Sequence, residues 1–201
     1  NYESAKIAKE VASEFKENKY VAGSIGPTNK TASMSPDVND PGYRAIHFDE
    51  LVSSYKEQIN GLHEGGCDIL FIETVFDTLN AKAALMAVDN YFDENNISIP
   101  VMLSGTITDK SGRTLSGQTV NAFLISISHF PLLSVGFNCA LGTKDLKPYM
   151  KRLSDSTDFY TSSHPNAGLP NAFGEYDQSP ENMIEQMKEY LDEKLVNIIG
   201  G

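Results

Sequence analysis

Residues 68–108, DILFIETVFDTLNAKAALMAVDNYFDENNISIPVMLSGTIT, predict a strand, a helix and a second strand in succession. The strands are assigned to Asp68–Val75 and Ile99–Thr108, because Ile, Val and Leu dominate both without strict alternation, which is typical of buried parallel strands. The helix is assigned to Thr78–Phe92. A crossover this short between buried strands predicts that the two strands are parallel members of one sheet.

The same alternation continues on both sides of this unit and predicts about six strands. The other predicted helices are Tyr2–Phe15, Phe48–Glu64, Val120–His129, Lys144–Leu153 and Pro180–Leu191, and the other predicted strands are Tyr20–Gly26, Leu132–Asn138, Phe159–Ser163 and Val196–Ile199. No linker-like or low-complexity stretch interrupts the pattern, so residues 1–201 are interpreted as a single domain.

Polar and glycine-containing segments follow the carboxyl ends of several successive strands. These segments are 26–29 (GPTN), 73–74 (ET), 104–106 (SGT), 138–139 (NC) and 164–166 (HPN). Convergence of many strand ends on one site is typical of a TIM (β/α)8 barrel, whereas an open sheet concentrates its ligand at one switch point. We therefore expect an α/β barrel from which about two strands are missing, and we expect its exposed strand edges to promote self-association.

The composition excludes several classes of partner. The chain carries 16 basic and 27 acidic residues, a formal net charge of −11, which repels nucleic acid and anionic membrane surfaces. No apolar run is long enough to span a bilayer, and no signal segment is evident, so a cytoplasmic location is the default expectation. The two cysteines are too few for a disulfide framework and are expected to be reduced.

Three residues at the predicted strand ends are candidates for chemistry. Cys139 follows an apolar strand and could be a nucleophile, a metal ligand or an inert buried thiol. Glu73 lies within an apolar strand, where a carboxylate needs a cationic or hydrogen-bonding partner. It could therefore receive a substrate ammonium group, or it could be a buried carboxylate that backbone amides or an internal Lys or Arg satisfy. His164 could be an acid, a base or a ligand, but a single loop histidine more often makes only local hydrogen bonds. Cys67, before its strand, is interpreted as structural.

Long loop motifs carry a resemblance that spacing alone cannot give. They are 21–33 (VAGSIGPTNKTAS), 35–42 (SPDVNDPG), 73–82 (ETVFDTLNAK), 104–109 (SGTITD), 113–118 (RTLSGQ), 138–142 (NCALG), 165–171 (PNAGLPN) and 196–201 (VNIIGG). In these motifs, nearly the whole chain resembles the homocysteine-binding, zinc-dependent methyltransferase domain of cobalamin-dependent methionine synthase. The resemblance implies a (β/α)8 barrel of the homocysteine S-methyltransferase type, with about its first two strands before Asn1.

The resemblance also implies a site and its ligands. In that family three cysteine thiolates hold zinc, one after an Asn and two adjacent ones after a Gly-Gly. Cys139 matches the first, and the adjacent pair would follow Gly201, so the ligand set in this chain is expected to be incomplete. The resemblance further implies that Glu73 binds the substrate amine and that Asn138 supports the metal site.

The implied reaction is transfer of a methyl group to a zinc-activated homocysteine thiolate, giving methionine. The methyl donor would be methylcobalamin on a separate cobalamin-binding module, regenerated from methyltetrahydrofolate on a folate-binding module. One alternative is a stand-alone homocysteine methyltransferase that uses betaine or S-methylmethionine, and segment 27–42 favours the cobalamin branch over it. The other is a catalytically silent barrel fragment, since the isolated chain is expected to be inactive.

Overall fold

A computed structural model of the chain describes residues 1–200 and contains alternating helices and strands throughout. Within that range the helices are α1 Tyr2–Ser13, α2 Phe48–Glu64, α3 Thr78–Asn95, α4 Val120–Ile127, α5 Thr143–Ser154 and α6 Pro180–Asp192. The strands are β1 Ala22–Ile25, β2 Ile69–Val75, β3 Val101–Gly105, β4 Ser134–Gly142, β5 Tyr160–Asn166 and β6 Ile198–Ile199.

The described strands form one six-stranded sheet in the order β1-β2-β3-β4-β5-β6. The pairs β1–β2, β4–β5 and β5–β6 are parallel. Sequential parallel strands joined by helices are the topology of a (β/α) barrel. The predicted α/β class and partial barrel are therefore confirmed.

Two predicted strands extend further than the sequence indicated. Strand β4 continues through Cys139 to Gly142, because Gly142 pairs with Asn166 after an irregularity that follows Asn138. Strand β5 likewise continues to Asn166. His164 and Asn138 therefore lie within paired strands, whereas the sequence placed the 164–166 segment after its strand.

The described part of the chain folds into two compact units. Residues 1–73 and 77–102 make up the first, and residues 74–76 together with the described residues from Leu103 onward make up the second. In the first unit, helices α2 and α3 pack against each other, and α3 buries an alanine-rich face that includes Ala83, Ala84 and Ala87. Small side chains there let the helix axes approach closely.

The second unit is built on strands β4 and β5 with helices α4, α5 and α6. Phe137 of β4 packs against Phe123 of α4, with ring centroids 5.6 Å apart. Since side chains alternate along a strand, Gly136 and Asn138 lie on the opposite face from Phe137. A Cβ on Gly136 would lie 2.0 Å from the Ser162 carbonyl oxygen, so this position on β4 requires glycine.

No described helix is long and apolar enough to cross a membrane.

Candidate functional site

Asn138 is the centre of a buried hydrogen-bond network in the middle of β4. Its side chain is 3% exposed, and its Oδ1 accepts bonds from the Thr74 backbone N–H at 3.0 Å and the Ser104 hydroxyl at 2.7 Å. Its Nδ2 donates to Thr74 Oγ1 at 2.7 Å and to Cys139 Sγ at 3.0 Å. A backbone N–H can only donate, so Thr74 fixes the orientation of the Asn138 amide. The amide nitrogen therefore faces the cysteine sulfur.

Cys139 is held by an unusual backbone. Its φ is +60°, that of Ala140 is +57°, and that of Thr74 is +56°. Left-handed conformations cost roughly 1–2 kcal/mol for residues with a Cβ and cluster at functional sites. These three residues all belong to the second unit. Thr74 Oγ1 lies 4.0 Å from Cys139 Sγ, and Ala140 is the next residue of the chain.

The Cys139 sulfur is a candidate nucleophile or metal ligand. The residue is a free cysteine of intermediate exposure at the carboxyl end of β4. Its sulfur accepts a hydrogen bond from the Asn138 side-chain N–H. A thiolate is both a nucleophile and the preferred donor for zinc.

The described residues do not complete a metal site by themselves. Residues 1–200 contain no group of three or more His, Cys, Asp or Glu side chains that could hold a metal ion. A catalytic zinc ion takes three protein ligands. Cys139 therefore fits as one ligand, and further donors would have to come from outside these residues.

Glu73 lies in the first unit, on the last part of β2. Its carboxylate accepts a hydrogen bond from the Ser24 hydroxyl of β1. The sequence predicted a carboxylate enclosed by an apolar strand, but Glu73 is only partly buried. The cost of removing this carboxylate from water is therefore smaller than for a fully enclosed one, and a cationic ligand can reach it from solvent.

The two other residues that the sequence analysis considered, His164 and Cys67, lie in positions that packing or local contacts account for. His164 pairs in register with Asn138, and a Cβ on Gly200 would lie 2.6 Å from its ring. Cys67 is 6% exposed beneath Gly23, as a structural role requires. Burial raises the pKa of the Cys67 thiol, and the nearby Asp68 charge adds to this, so the thiol stays protonated and unreactive.

Sequence reasoning did not single out Thr74, Ser104 or Ser24 as site residues. Each lies at the carboxyl end of a strand within a segment that the motifs already included. Their role depends on the side-chain directions across neighbouring strands, which a one-dimensional pattern does not contain. The polar strand-end pattern was the only signal that could have indicated them.

Comparison with protein families gives one match over the whole chain. The family model described as homocysteine S-methyltransferase matches residues 1–201.

Solved structures also match. The homocysteine methyltransferase MmuM from Escherichia coli is similar in its apo form, with 19% identity and a TM-score of 0.70 over 100% of this chain and 65% of that one. The metallated form of MmuM is similar with 18% identity and a TM-score of 0.66, over 98% and 61%. A 6-hydroxypseudooxynicotine amine oxidase from Pseudomonas geniculata N1 has 12% identity and a TM-score of 0.57, over 100% and 36%. At these identities the likeness concerns the fold, and the chain spans less than two thirds of these proteins.

Proposed function

The chain belongs to the homocysteine S-methyltransferase family, and we propose that it is the homocysteine-binding part of a cobalamin-dependent methionine synthase. In this proposal a homocysteine thiolate would form a carbon–sulfur bond with the methyl group of methylcobalamin, while the cobalt–carbon bond breaks and its electron pair stays with cobalt. The product would be the thioether of methionine. The observation that carries the proposal is the strained Asn138-Cys139 site, where an oriented amide presents a thiol at a strand end. Cobalamin- and folate-binding modules are the proposed partners, and cytoplasmic localisation stays a prediction.

Cys139 is the proposed metal ligand of this chain. A zinc ion held there would supply a Lewis acid that keeps the homocysteine sulfur deprotonated at neutral pH. The role of Asn138 is to orient the Cys139 sulfur through its N–H, while Thr74 and Ser104 keep the amide from flipping. No acid or base is required at the methyl carbon, because the sulfur attacks as a thiolate.

Strand register supports the position of further sulfur ligands. Asn138 pairs with His164, and Ser163 pairs with Ile199, so Gly200 is level with Asn138 two strands away. Two strand spacings amount to about 10 Å between backbones. Thiolates placed directly after Gly201 would start from the edge of the sheet on which Cys139 lies.

Glu73 is the proposed receptor of the homocysteine ammonium group. Its carboxylate is partly exposed and has the neutral Ser24 hydroxyl as a partner, which leaves its negative charge available. A charge-assisted hydrogen bond from an ammonium group would then form at low desolvation cost.

A designed extension tests the metal proposal. Two cysteines are appended after Gly201, and zinc per chain is measured by elemental analysis after dialysis, with two appended serines as the control. We expect one zinc per chain only with the cysteines, and we expect Cys139→Ser to remove it. The assignment of Cys139 fails if the Cys139→Ser variant of the extended chain retains the zinc.

The methyl donor is tested separately with methylcobalamin, betaine and S-methylmethionine. The zinc-loaded extended chain is incubated with homocysteine and each donor, and methionine is measured. Turnover with methylcobalamin alone supports the methionine synthase branch. Turnover only with betaine or S-methylmethionine would establish the stand-alone alternative, and turnover with none would favour a silent barrel fragment.

A further inference from the structure

The segment between β1 and α2 is a long irregular loop, from Gly26 to His47. Loops of this length in a compact unit usually have a function of their own. Its outer part is exposed, and Val38 retains 95% of its accessible surface. Its inner part, residues 28–33, is instead held by buried side chains of α3 and its cap.

Asn80 of α3 uses both ends of its side-chain amide to hold the inner part of the loop. Its Oδ1 accepts the Ala32 backbone N–H at 2.9 Å, and its Nδ2 donates to the Lys30 carbonyl at 2.9 Å and to Thr28 Oγ1 at 3.2 Å. Asn80 is only 6% exposed. Buried hydrogen bonds of this kind are costly to break, because each leaves a desolvated polar group behind.

Asp77 holds the next residue of the loop while capping α3. Its Oδ1 accepts the Leu79 N–H at 2.9 Å, and its Oδ2 accepts the Ser33 N–H at 3.0 Å. The residue is 1% exposed. The Tyr55 hydroxyl makes a hydrogen bond with the Asn80 side chain. Burial raises the pKa of Tyr55 by more than this bond lowers it, so the hydroxyl stays protonated. We call Asp77 and Asn80 the loop clamp.

The loop that contains the clamped segment begins beside Glu73. Ile25 pairs in register with Ile72, so the chain leaves β1 at Gly26, level with Glu73 on the neighbouring strand. Ser24, two residues before the loop, donates its hydroxyl to the Glu73 carboxylate. The loop that contains residues 28–33 therefore begins level with the carboxylate that we assign to the substrate amine.

We propose that the loop clamp positions residues 28–33 as a preformed wall of the amine-binding pocket at Glu73. This inference rests on the proposed function, because it takes Glu73 as the ammonium receptor. A preformed wall raises affinity, since the loop does not have to be ordered when the substrate binds. Asp77 and Asn80 are positioning residues and need not touch the substrate.

The test compares two thiols that differ in the amino group. Homocysteine and 4-mercaptobutanoic acid, which lacks the amine, are titrated calorimetrically against the unsubstituted chain, Asn80→Ala and Asp77→Asn. We expect the preference for homocysteine to fall roughly tenfold in both variants, which is the loss of about one buried hydrogen bond. Trypsin cleavage after Lys30 is expected to accelerate by a similar factor, because the loop opens locally.

Asn60→Ala is the matched control. Asn60 lies on α2 and accepts a hydrogen bond from the Tyr91 hydroxyl of α3, away from the loop. This variant also loses an interhelical hydrogen bond, so it reports the effect of general loosening. We expect neither the thiol preference nor cleavage after Lys30 to change.

Glu73→Gln separates failure of this inference from failure of the proposed function. If Glu73→Gln loses the preference for homocysteine and the clamp variants keep it, the clamp is only a structural anchor and the inference is overturned. If Glu73→Gln keeps the preference, or if the unsubstituted chain does not distinguish the two thiols, the amine site itself is wrong.

Discussion

Replacement of Asn138 by alanine should destabilise the second unit well beyond an ordinary surface substitution. Asn138→Ala removes three hydrogen bonds of 2.7–3.0 Å to Thr74 and Ser104, together with a weaker one to the Cys139 sulfur. At about 1 kcal/mol for each of the three, the free energy of unfolding should fall by about 3 kcal/mol. The Ser104 side chain is fully buried, so its hydroxyl would lose its acceptor without access to bulk water.

Urea denaturation followed by circular dichroism measures this loss, provided that the transition is two-state. The control is Asn121→Ala, because Asn121 accepts only an exposed bond from Arg152 Nε at 2.8 Å. We expect the control to cost less than about 1 kcal/mol. A loss for Asn138→Ala no larger than that of the control would show that water replaces the amide, and the claim that Asn138 fixes the Cys139 sulfur would fall with it.

Three further substitutions test other parts of the structure. Gly136→Ala places a Cβ 2.0 Å from the Ser162 carbonyl oxygen, so we expect the urea midpoint to fall by more than for any other alanine variant described above, or no folded chain to be recovered. Ala140→Gly relieves a φ of +57° and should raise the free energy of unfolding by about 1 kcal/mol in the same assay. Burial raises the pKa of Asp68, but the hydrogen bond from Lys9 at 2.5 Å, the hydrogen bond from the Val21 N–H and the Lys9 charge together hold the pKa below its usual range. A carboxyl group whose pKa is lowered by folding stabilises the folded state above its unfolded pKa of about 3.9, and this stabilisation is lost as pH falls through the folded pKa. Because Asp68→Asn has no such carboxyl group, its stability below pH ~4 should fall less steeply than that of the unsubstituted chain.

Matched controls accompany these substitutions. Gly26→Ala should leave the urea midpoint nearly unchanged, because a Cβ on Gly26 meets no atom within 4 Å and its φ is not left-handed. Glu17→Gln removes an exposed partner of Lys19 and should leave the acid dependence unaltered. Equal acid dependence in Asp68→Asn and the unsubstituted chain would contradict the ion-pair assignment.

The alternation of strands and helices was predictable because burial on both sides of a parallel sheet makes strands continuously apolar. Asp68–Val75 and Thr78–Phe92 correspond closely to β2 and α3 for that reason. The carboxyl ends of β4 and β5 were predicted too early. Beyond Asn138 the pairing continues through an irregularity with left-handed residues, and no apolar pattern marks such pairing.

The sequence predicted which strand segments contribute to the site, but it did not predict the hydrogen bonds between their side chains. The position of Cys139 after an apolar strand was enough to make it a candidate. Its hydrogen bond from the Asn138 side chain depends on the amide being turned by Thr74, which is distant in the sequence. The hydrogen bond from the Ser33 N–H to Asp77 could not be predicted for a similar reason. An aspartate at this position is already accounted for by its role as the N-cap of α3.

The backbone strain at Cys139 and Ala140 bears on the role of Cys139, because the family match alone does not explain it. Two consecutive left-handed residues would relax to ordinary strand geometry unless surrounding bonds over-determined them. The Thr106 hydroxyl donates to the Asn138 carbonyl at 3.1 Å, and the Asn138 amide is bonded at both ends, so the backbone entering the strained pair cannot rotate freely. The left-handed conformations of Cys139 and Ala140 thus lower the stability of the folded chain while they hold the cysteine sulfur in a fixed direction. A residue that only filled space would not require this geometry, and the proposed role of Cys139 as a metal ligand accounts for it.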